Sequence, residues 1–359
     1  MASTPAWHTE SFPELRDAPP WVMAEMIEAE PDLLEQIATG ADTSSLALLV
    51  RSAQPLTVVG CGTSEHASLA VAAMLTEAGT PATSREAFEA ALDPAPGGAV
   101  IGISHEGGTA ATIRAMEAAR TAGAATGLIT ARTDSPATRA ADAVLATPFV
   151  DRSWCHTIGY TSPIAAGLAL AARPAAGLVH DVASDGLRSR DQAAELAREL
   201  SGCERLIIIG SGADRISARE LTLKIEEACH LPCAMRDLET FLHGHLPACD
   251  ETTGVVVFSV DRRRLADRRA RIEQLLQASR RVGARCAMIG SDDLPIDLLD
   301  AGAIEVADQP ALPAAAAALL AAALPLQWLS YELAIARDTN PDLIRREQAA
   351  YREASQIHG

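Results

Sequence analysis

Two stretches with the same pattern decide the fold: LTVVGCGTSEHASLAVAAML at residues 56–75 and LIIIGSGADRISARELTLKI at residues 206–225. Each reads as a short apolar strand, a glycine turn and a helix. Two further pairs recur in the same order: AVIGIS at 99–104 with VVVFSV at 255–260, and ATGLIT at 125–130 with ARCAMIG at 284–290. This recurrence predicts a tandem duplication of one unit.

Within each unit, apolar runs of strand length alternate with helical periodicity, which is typical of βαβ units. We therefore predict an α/β fold with two domains, each a parallel β-sheet flanked by helices. The predicted division is lead-in helices at 1–44, a first domain at 45–180, a second at 196–338 and a polar tail at 339–359. The lead-in is predicted as a pair of helices over 21–38, interrupted at Pro31.

Composition limits the kinds of partner. The net charge of −17 and the pI near 4.9 argue against nucleic acid or an anionic membrane surface as a partner. No basic start followed by an apolar core opens the chain, so no signal peptide is expected. Seven cysteines, an odd number, fit a reducing compartment, and we predict a cytoplasmic protein. The apolar run Ala311–Leu329, which contains Pro313 and Pro325, is predicted as a buried helix and not a membrane span.

Two loops of the first unit follow strands and open helices, so their backbone N–H groups and hydroxyls should converge at one edge of the sheet. The second unit keeps a GSGAD turn but has Ser259-Val260-Asp261-Arg262-Arg263 in place of the second loop. The first unit is therefore predicted to hold the ligand, a sugar hydroxyl or phosphate. The candidate residues are Cys61, Gly62, Thr63, Ser64, Ser104, His105, Glu106, Gly107 and Thr109.

Lys224 is the only lysine in the chain, and Glu227 follows it by one helical turn. Their spacing places both on one helix face. A compact ammonium there could stabilise a developing negative charge on an enediolate, while the carboxylate moves a carbon-bound proton. Two alternatives stay open: a Schiff base, which needs a lysine of depressed pKa, and an ordinary helix salt bridge.

The CGTS turn, the S-x-x-G-x-T loop, the K-x-x-E helix and the downstream His243-Gly244 together resemble the sugar isomerase (SIS) domain family. The resemblance extends over about residues 21–350 and is closest to the isomerase half of glucosamine-6-phosphate synthase and to stand-alone glucosamine-6-phosphate deaminases and fructosamine deglycases. The glutaminase domain of the synthase has no counterpart in this sequence. The resemblance implies two tandem SIS domains, each a flavodoxin-like αβα sandwich.

It also implies roles for individual residues. Glu227 would move the proton between C1 and C2, His243 would assist ring opening in a neighbouring subunit, and Lys224 would lie at the reacting end of the sugar. A homodimer with shared active sites is therefore expected, with a tail that contributes to the site and no cofactor. Further substrate contacts are expected from Ser162, His245 and Arg345.

Some positions depart from the family pattern. Glu106 stands where a phosphate-contacting serine is usual, so either its side chain turns away or the substrate is not an ordinary sugar phosphate. His245 replaces a proline, and Ala349 a lysine of the tail. A metal site at Cys229, His230 and Cys233 is not expected, because paired C-x-x-C spacing is absent.

The sequence thus predicts an aldose–ketose isomerase or deaminase acting on an amino sugar or its phosphate. A fructosamine-type deglycase is the alternative enzyme. A protein that only binds and senses a carbohydrate derivative is the alternative from another class.

Overall fold

The computed structural model describes residue 16 and residues 18–358. Most of the stretch on which the signal-peptide prediction rests lies outside these residues.

The first unit forms a sheet of five parallel strands in the order β2-β1-β3-β4-β5. Its chain runs through α1 (Val22–Gly40), α2 (Ser44–Ser52), β1 (Leu56–Gly60), α3 (Thr63–Glu77), β2 (Ala82–Glu86), α4 (Ala87–Leu92), β3 (Ala99–Ile103), α5 (Ala110–Thr121), β4 (Ala125–Thr130), β5 (Ala143–Ala146), α6 (Ile158–Ala171) and α7 (Leu178–Leu187).

The second unit repeats this arrangement, with parallel strands in the order β7-β6-β8-β9-β10. It comprises α8 (Arg190–Leu200), β6 (Arg205–Gly210), α9 (Asp214–Cys229), β7 (Cys233–Asp237), α10 (Leu238–Thr240), β8 (Thr253–Ser259), α11 (Leu265–Arg281), β9 (Arg285–Gly290), β10 (Gly302–Glu305), α12 (Ala314–Ala336) and α13 (Ala349–His358).

Both sheets therefore have the strand order 2-1-3-4-5 of flavodoxin-like folds, and the predicted α/β class is confirmed. The central strands are buried along nearly their whole length, as their continuous apolar sequences predict.

The apolar run near the C-terminus is the central helix of the protein. By length and composition α12 could cross a membrane, but its most apolar window is 100% buried within the protein. It packs against α7, α8 and α9 and also touches α3. The prediction of a buried helix here is correct.

The prediction of a break at Pro31 is wrong, because α1 continues through this residue. Proline removes one backbone hydrogen bond and costs about 3 kcal/mol inside a helix. Ile27, Pro31 and Leu34 are all buried where α1 packs on α6 and α7. Burial of each large aliphatic side chain contributes about 1.5–3 kcal/mol, which is enough to offset the proline.

The helices α3 and α9 hold equivalent positions in the two units and pack against each other. Each begins just beyond the carboxyl end of the first strand of its unit. Their contact brings the ligand loops of the first unit close to the helix that carries Lys224 and Glu227.

Candidate active site

The turn between β1 and α3 depends on glycine. A Cβ atom at Gly60 would lie 2.3 Å from the carbonyl oxygen of Ser64. Gly62 has φ +56° and ψ −129°, a backbone conformation that residues other than glycine rarely adopt. The chain can therefore turn sharply and present Thr63 and Ser64 at the end of the sheet.

The loop between β3 and α5 depends on Gly107 in the same way. Its φ is +68°, and a Cβ atom there would lie 1.9 Å from Ser135 Oγ. Ser104 Oγ donates a hydrogen bond of 3.3 Å to Thr109 Oγ1 across the loop. Because β1 and β3 are neighbours with connections running in opposite directions, both loops lie at the topological switch point, where sheets of this kind bind ligands.

A cavity of about 530 Å³ opens between the two loops, within the size range of small-molecule sites. The two loops, the segment before α6 and the helix α9 all contribute to it. Its lining residues are Cys61, Gly62, Thr63, Ser64, His105, Glu106, Gly108, Thr109, Ala110, Trp154, His156, Leu223 and Glu227. Ser104 and Gly107 belong to the same loop but are not part of this lining.

Behind the cavity, Lys224 lies between two carboxylates of its own helix. Its Nζ is 2.5 Å from Glu227 Oε2 and 3.7 Å from Glu220 Oε1. Glu220 also accepts hydrogen bonds from His66 Nδ1 at 2.6 Å and from Thr63 Oγ1 at 3.3 Å. One polar cluster therefore joins α3 of the first unit to α9 of the second.

Lys224, Glu220 and Glu227 differ in their exposure to solvent. The side chain of Lys224 is 1% exposed and that of Glu220 is 0%, whereas that of Glu227 is 25% exposed. Of these three, only Glu227 lines the cavity. Lys224, predicted to lie at the reacting end of the sugar, is found behind the carboxylate and not on the cavity wall.

The electrostatics of the cluster favour its charged form. Burial acts to lower the pKa of Lys224, but Glu227 and Glu220 outweigh it and hold the pKa above its ordinary value. Burial likewise acts to raise the pKa of Glu220, but Lys224 and His66 hold it below its usual range. A Schiff base at Lys224 is therefore disfavoured, since it requires a lysine that loses its proton readily.

His105 is a neutral imidazole at pH 7. Burial and the neighbouring His156 ring, with centroids 5.6 Å apart, lower the pKa of His105 to about 4. Its Nε2 accepts a hydrogen bond of 2.8 Å from the backbone N–H of Asp151, so Nδ1 carries the proton.

Glu106 does not turn away from the cavity. Its side chain is 42% exposed, and its Oε2 lies 3.8 Å from Nε of Arg132. Glu106 lines the cavity, so the first of the two alternatives drawn from the sequence, a side chain that turns away, is not what the structure shows.

Besides Lys224, Ser104 and Gly107, four more predicted site residues lie outside this cavity. His243 Nε2 is 2.7 Å from Glu239 Oε1 on the surface, and its side chain is 67% exposed. His245 is half-buried in the same segment. Arg345 lines a separate cavity of about 420 Å³, which shares Glu227 with the first. The prediction for Ser162 is not supported. This residue lies on α6, a helix buried on nearly all sides, and it is itself completely buried.

Sequence reasoning missed Trp154, His156 and Leu223, which complete the cavity wall. Arg346 of the C-terminal tail stacks over the Trp154 ring at 4.6 Å. A tryptophan and a histidine in the polar stretch between β5 and α6 were the available signal. That stretch belongs to none of the three repeated motifs, and nothing in it indicates which part of the fold it contacts.

Among the residues that the structure describes, no group of three or more His, Cys, Asp or Glu side chains is arranged to hold a metal ion.

Comparison with solved structures shows which proteins share this architecture. The C-terminal domain of glucosamine-fructose-6-phosphate aminotransferase from Francisella tularensis has 19% identity and a TM-score of 0.77, with 92% of this chain and 99% of that one covered. Tagatose-6-phosphate ketose/aldose isomerase from Escherichia coli has 19% identity and a TM-score of 0.77, with coverage of 93% and 97%. Glucosamine-6-phosphate deaminase from Thermotoga maritima has 17% identity and a TM-score of 0.68, with coverage of 90% and 97%.

At these identities the likeness demonstrates the fold alone. A comparison with curated proteins found no match. The sequence model of the SIS domain matches twice, at residues 49–173 and 199–337, which together make up most of the chain. The chain therefore belongs to the SIS domain family and carries two SIS domains in tandem.

Proposed function

We propose that this protein is an aldose–ketose isomerase or deaminase that acts on an amino sugar or its phosphate through an enediolate. One observation carries the proposal: the Glu227 carboxylate lines the same cavity as the two hydroxyl-bearing loops and is held from behind by Lys224. A fixed carboxylate beside a sugar site is what proton transfer between adjacent carbons requires.

In this proposal, Glu227 removes the proton from one carbon and returns it to the other. Lys224 holds Glu227 in place through their 2.5 Å contact. The hydroxyls of Thr63, Ser64 and Thr109 hold the sugar, and the neutral His105 fixes the backbone at Asp151.

His243 is proposed to act in the cavity of a neighbouring subunit, because it does not line the cavity of its own chain and its side chain is exposed. The functional unit would then be a homodimer. This arrangement is consistent with the solvent exposure of His243 and Gly244.

A deglycase is the second candidate, and the Arg345 cavity favours it. This cavity adjoins Glu227 and combines a cationic side chain with Leu231, Ile344 and Tyr351. It offers space for the amine part of a fructosamine-type adduct, with Arg345 available for a carboxylate.

A substrate panel tests the proposal. Aldoses, ketoses, amino sugars and fructosamines, each with and without phosphate, are incubated with the protein and followed for ketose, aldose and ammonia. We expect activity on at least one compound and its loss in Glu227→Gln. Binding of these compounds without any turnover would instead support a carbohydrate sensor.

A further inference from the structure

We propose that the substrate of this cavity carries no phosphate group and that Glu106 is the residue that sets this specificity, by binding a hydroxyl or ammonium group of the sugar. The inference rests on the proposed function, in that it takes the cavity between the two loops as the sugar site.

The wall of the cavity supplies no cationic side chain for an anion. The lining includes two carboxylates, Glu106 and Glu227, and neither arginine nor lysine. Arg346 stacks over the Trp154 ring at 4.6 Å, on the side of the cavity that holds Glu227. Arg132 lies 3.8 Å from Glu106, so these two charges offset each other. The N-terminal end of α5 adds about half a positive charge to the Glu106 loop, which is less than a phosphate dianion requires.

The second domain contains an internal counterpart of Glu106. Strand pairing places Gly102 beside Val59 in the first sheet, and Val257 beside Ile209 in the second. Val59 and Ile209 are equivalent, since each immediately precedes the glycine turn of its unit. Glu106 and Asp261 both follow their aligned strand residues by four positions, so the two acidic residues are equivalent.

Asp261 shows what a carboxylate does at this position. Its Oδ2 accepts a hydrogen bond of 2.9 Å from the backbone N–H of Ala213, immediately before α9. Arg263 and Arg268 pair with the same carboxylate at 2.7 Å and 3.3 Å. An internal acid therefore fills the helix end that could otherwise bind an external anion.

Glu106 stands at the equivalent position without this degree of neutralisation. Gly107 and Gly108 follow it where Arg262 and Arg263 follow Asp261. Its carboxylate therefore remains partly exposed at the cavity, and Arg132 lies 3.8 Å from it. A phosphate dianion entering the loop would meet like charge, whereas a hydroxyl or an ammonium would find an acceptor.

The test uses matched pairs of sugars, with and without a 6-phosphate, on wild type and on Glu106→Gln. Glutamine keeps the size of the side chain and removes its charge. Glu117→Gln, an exposed position on α5, is the matched control. Affinities are measured by calorimetry on the Glu227→Gln background, and kcat/KM on the active enzyme, with inorganic phosphate as a competitor.

Wild type is expected to bind the unphosphorylated member of each pair more tightly and to resist millimolar inorganic phosphate. Glu106→Gln should shift the preference toward the phosphorylated member by about tenfold or more, since one like charge is removed at close range. The control should not shift it. Comparison of amino and neutral sugars within the unphosphorylated set distinguishes an ammonium from a hydroxyl as the group at Glu106.

Tighter binding of the phosphorylated sugars by wild type, or an unchanged preference in Glu106→Gln, would overturn the inference. The proposed function fails by a different result, namely turnover that survives Glu227→Gln. The two failures are therefore distinguishable.

Discussion

Lys224 Nζ lies 2.5 Å from Glu227 Oε2, and the lysine is enclosed while the carboxylate reaches the cavity. The only lysine of the chain thus holds the carboxylate of the proposed base in position. An ammonium fits this enclosed position between Glu220 and Glu227, where a planar guanidinium needs more room.

Replacement of Lys224 by arginine should keep the charge and the fold but misplace Glu227. We expect kcat to fall about 100-fold, because small displacements of a catalytic group have large effects on rate. Circular dichroism checks that the fold is retained. Arg219→Lys, at a partly exposed position of the same helix, is the control and should keep its activity. Full activity in Lys224→Arg would contradict the positioning role.

The buried contact between His66 and Glu220 should contribute to stability. His66→Ala removes a hydrogen bond to a buried carboxylate, and we expect the free energy of unfolding to fall by about 2 kcal/mol. His66→Asn, which retains an N–H donor, should recover part of this loss. Urea denaturation measures both variants, and equal stability of wild type and His66→Ala would show that the contact contributes nothing.

The pKa of His105 predicts a dependence of stability on pH. The folded-state pKa of about 4 lies below the ordinary value of 6.5, so the unfolded chain takes up the proton first as pH falls. The stability that His105 contributes is fully present above pH 6.5 and decreases toward pH 4. At pH 5 the loss from this group is about 2 kcal/mol.

His105→Gln should reduce the difference in unfolding free energy between pH 7.5 and pH 5 by about this amount. Glutamine does not titrate, and its amide oxygen can accept the hydrogen bond from Asp151. His180→Gln, at a partly exposed position, is the control. An identical pH dependence in His105→Gln and wild type would contradict the assignment of a buried neutral imidazole.

Sharing of active sites between subunits can be tested by mixing two inactive variants. If His243 serves the neighbouring chain, one site of each His243→Ala/Glu227→Gln heterodimer is intact. An equal, fully exchanged mixture should then regain about a quarter of wild-type activity. Mixtures that stay inactive after exchange would place His243 and Glu227 of one chain in the same site, and a fully active His243→Ala protein would exclude a role for His243.

The inner strands of both sheets could be predicted because their sequences are continuous apolar runs. The strands β2 and β7, which read ATSRE and CAMRD, lie at sheet edges and are partly exposed. Their mixed sequences carry no clear period, so the sequence did not reveal them. The break predicted at Pro31 does not occur, because packing of α1 against the core outweighs the cost of proline inside a helix.

The candidate site was predictable where it is local in sequence. The glycines predict the two sharp turns, and the three-residue spacing predicts that Lys224 and Glu227 share one helix face. Trp154 and His156 reach the cavity through long-range packing, which no short motif encodes. The burial of Ser162 likewise results from the packing of other elements around α6, which the local sequence does not encode.

Hydrogen exchange at the sugar carbon reports on proton transfer by Glu227 without any assumption about the product. The active sugar is incubated in D2O with wild type or Glu227→Gln and followed by NMR. We expect deuterium to enter at C1 or C2 with wild type and not with the variant. Equal deuterium incorporation by the two proteins would contradict proton transfer by Glu227.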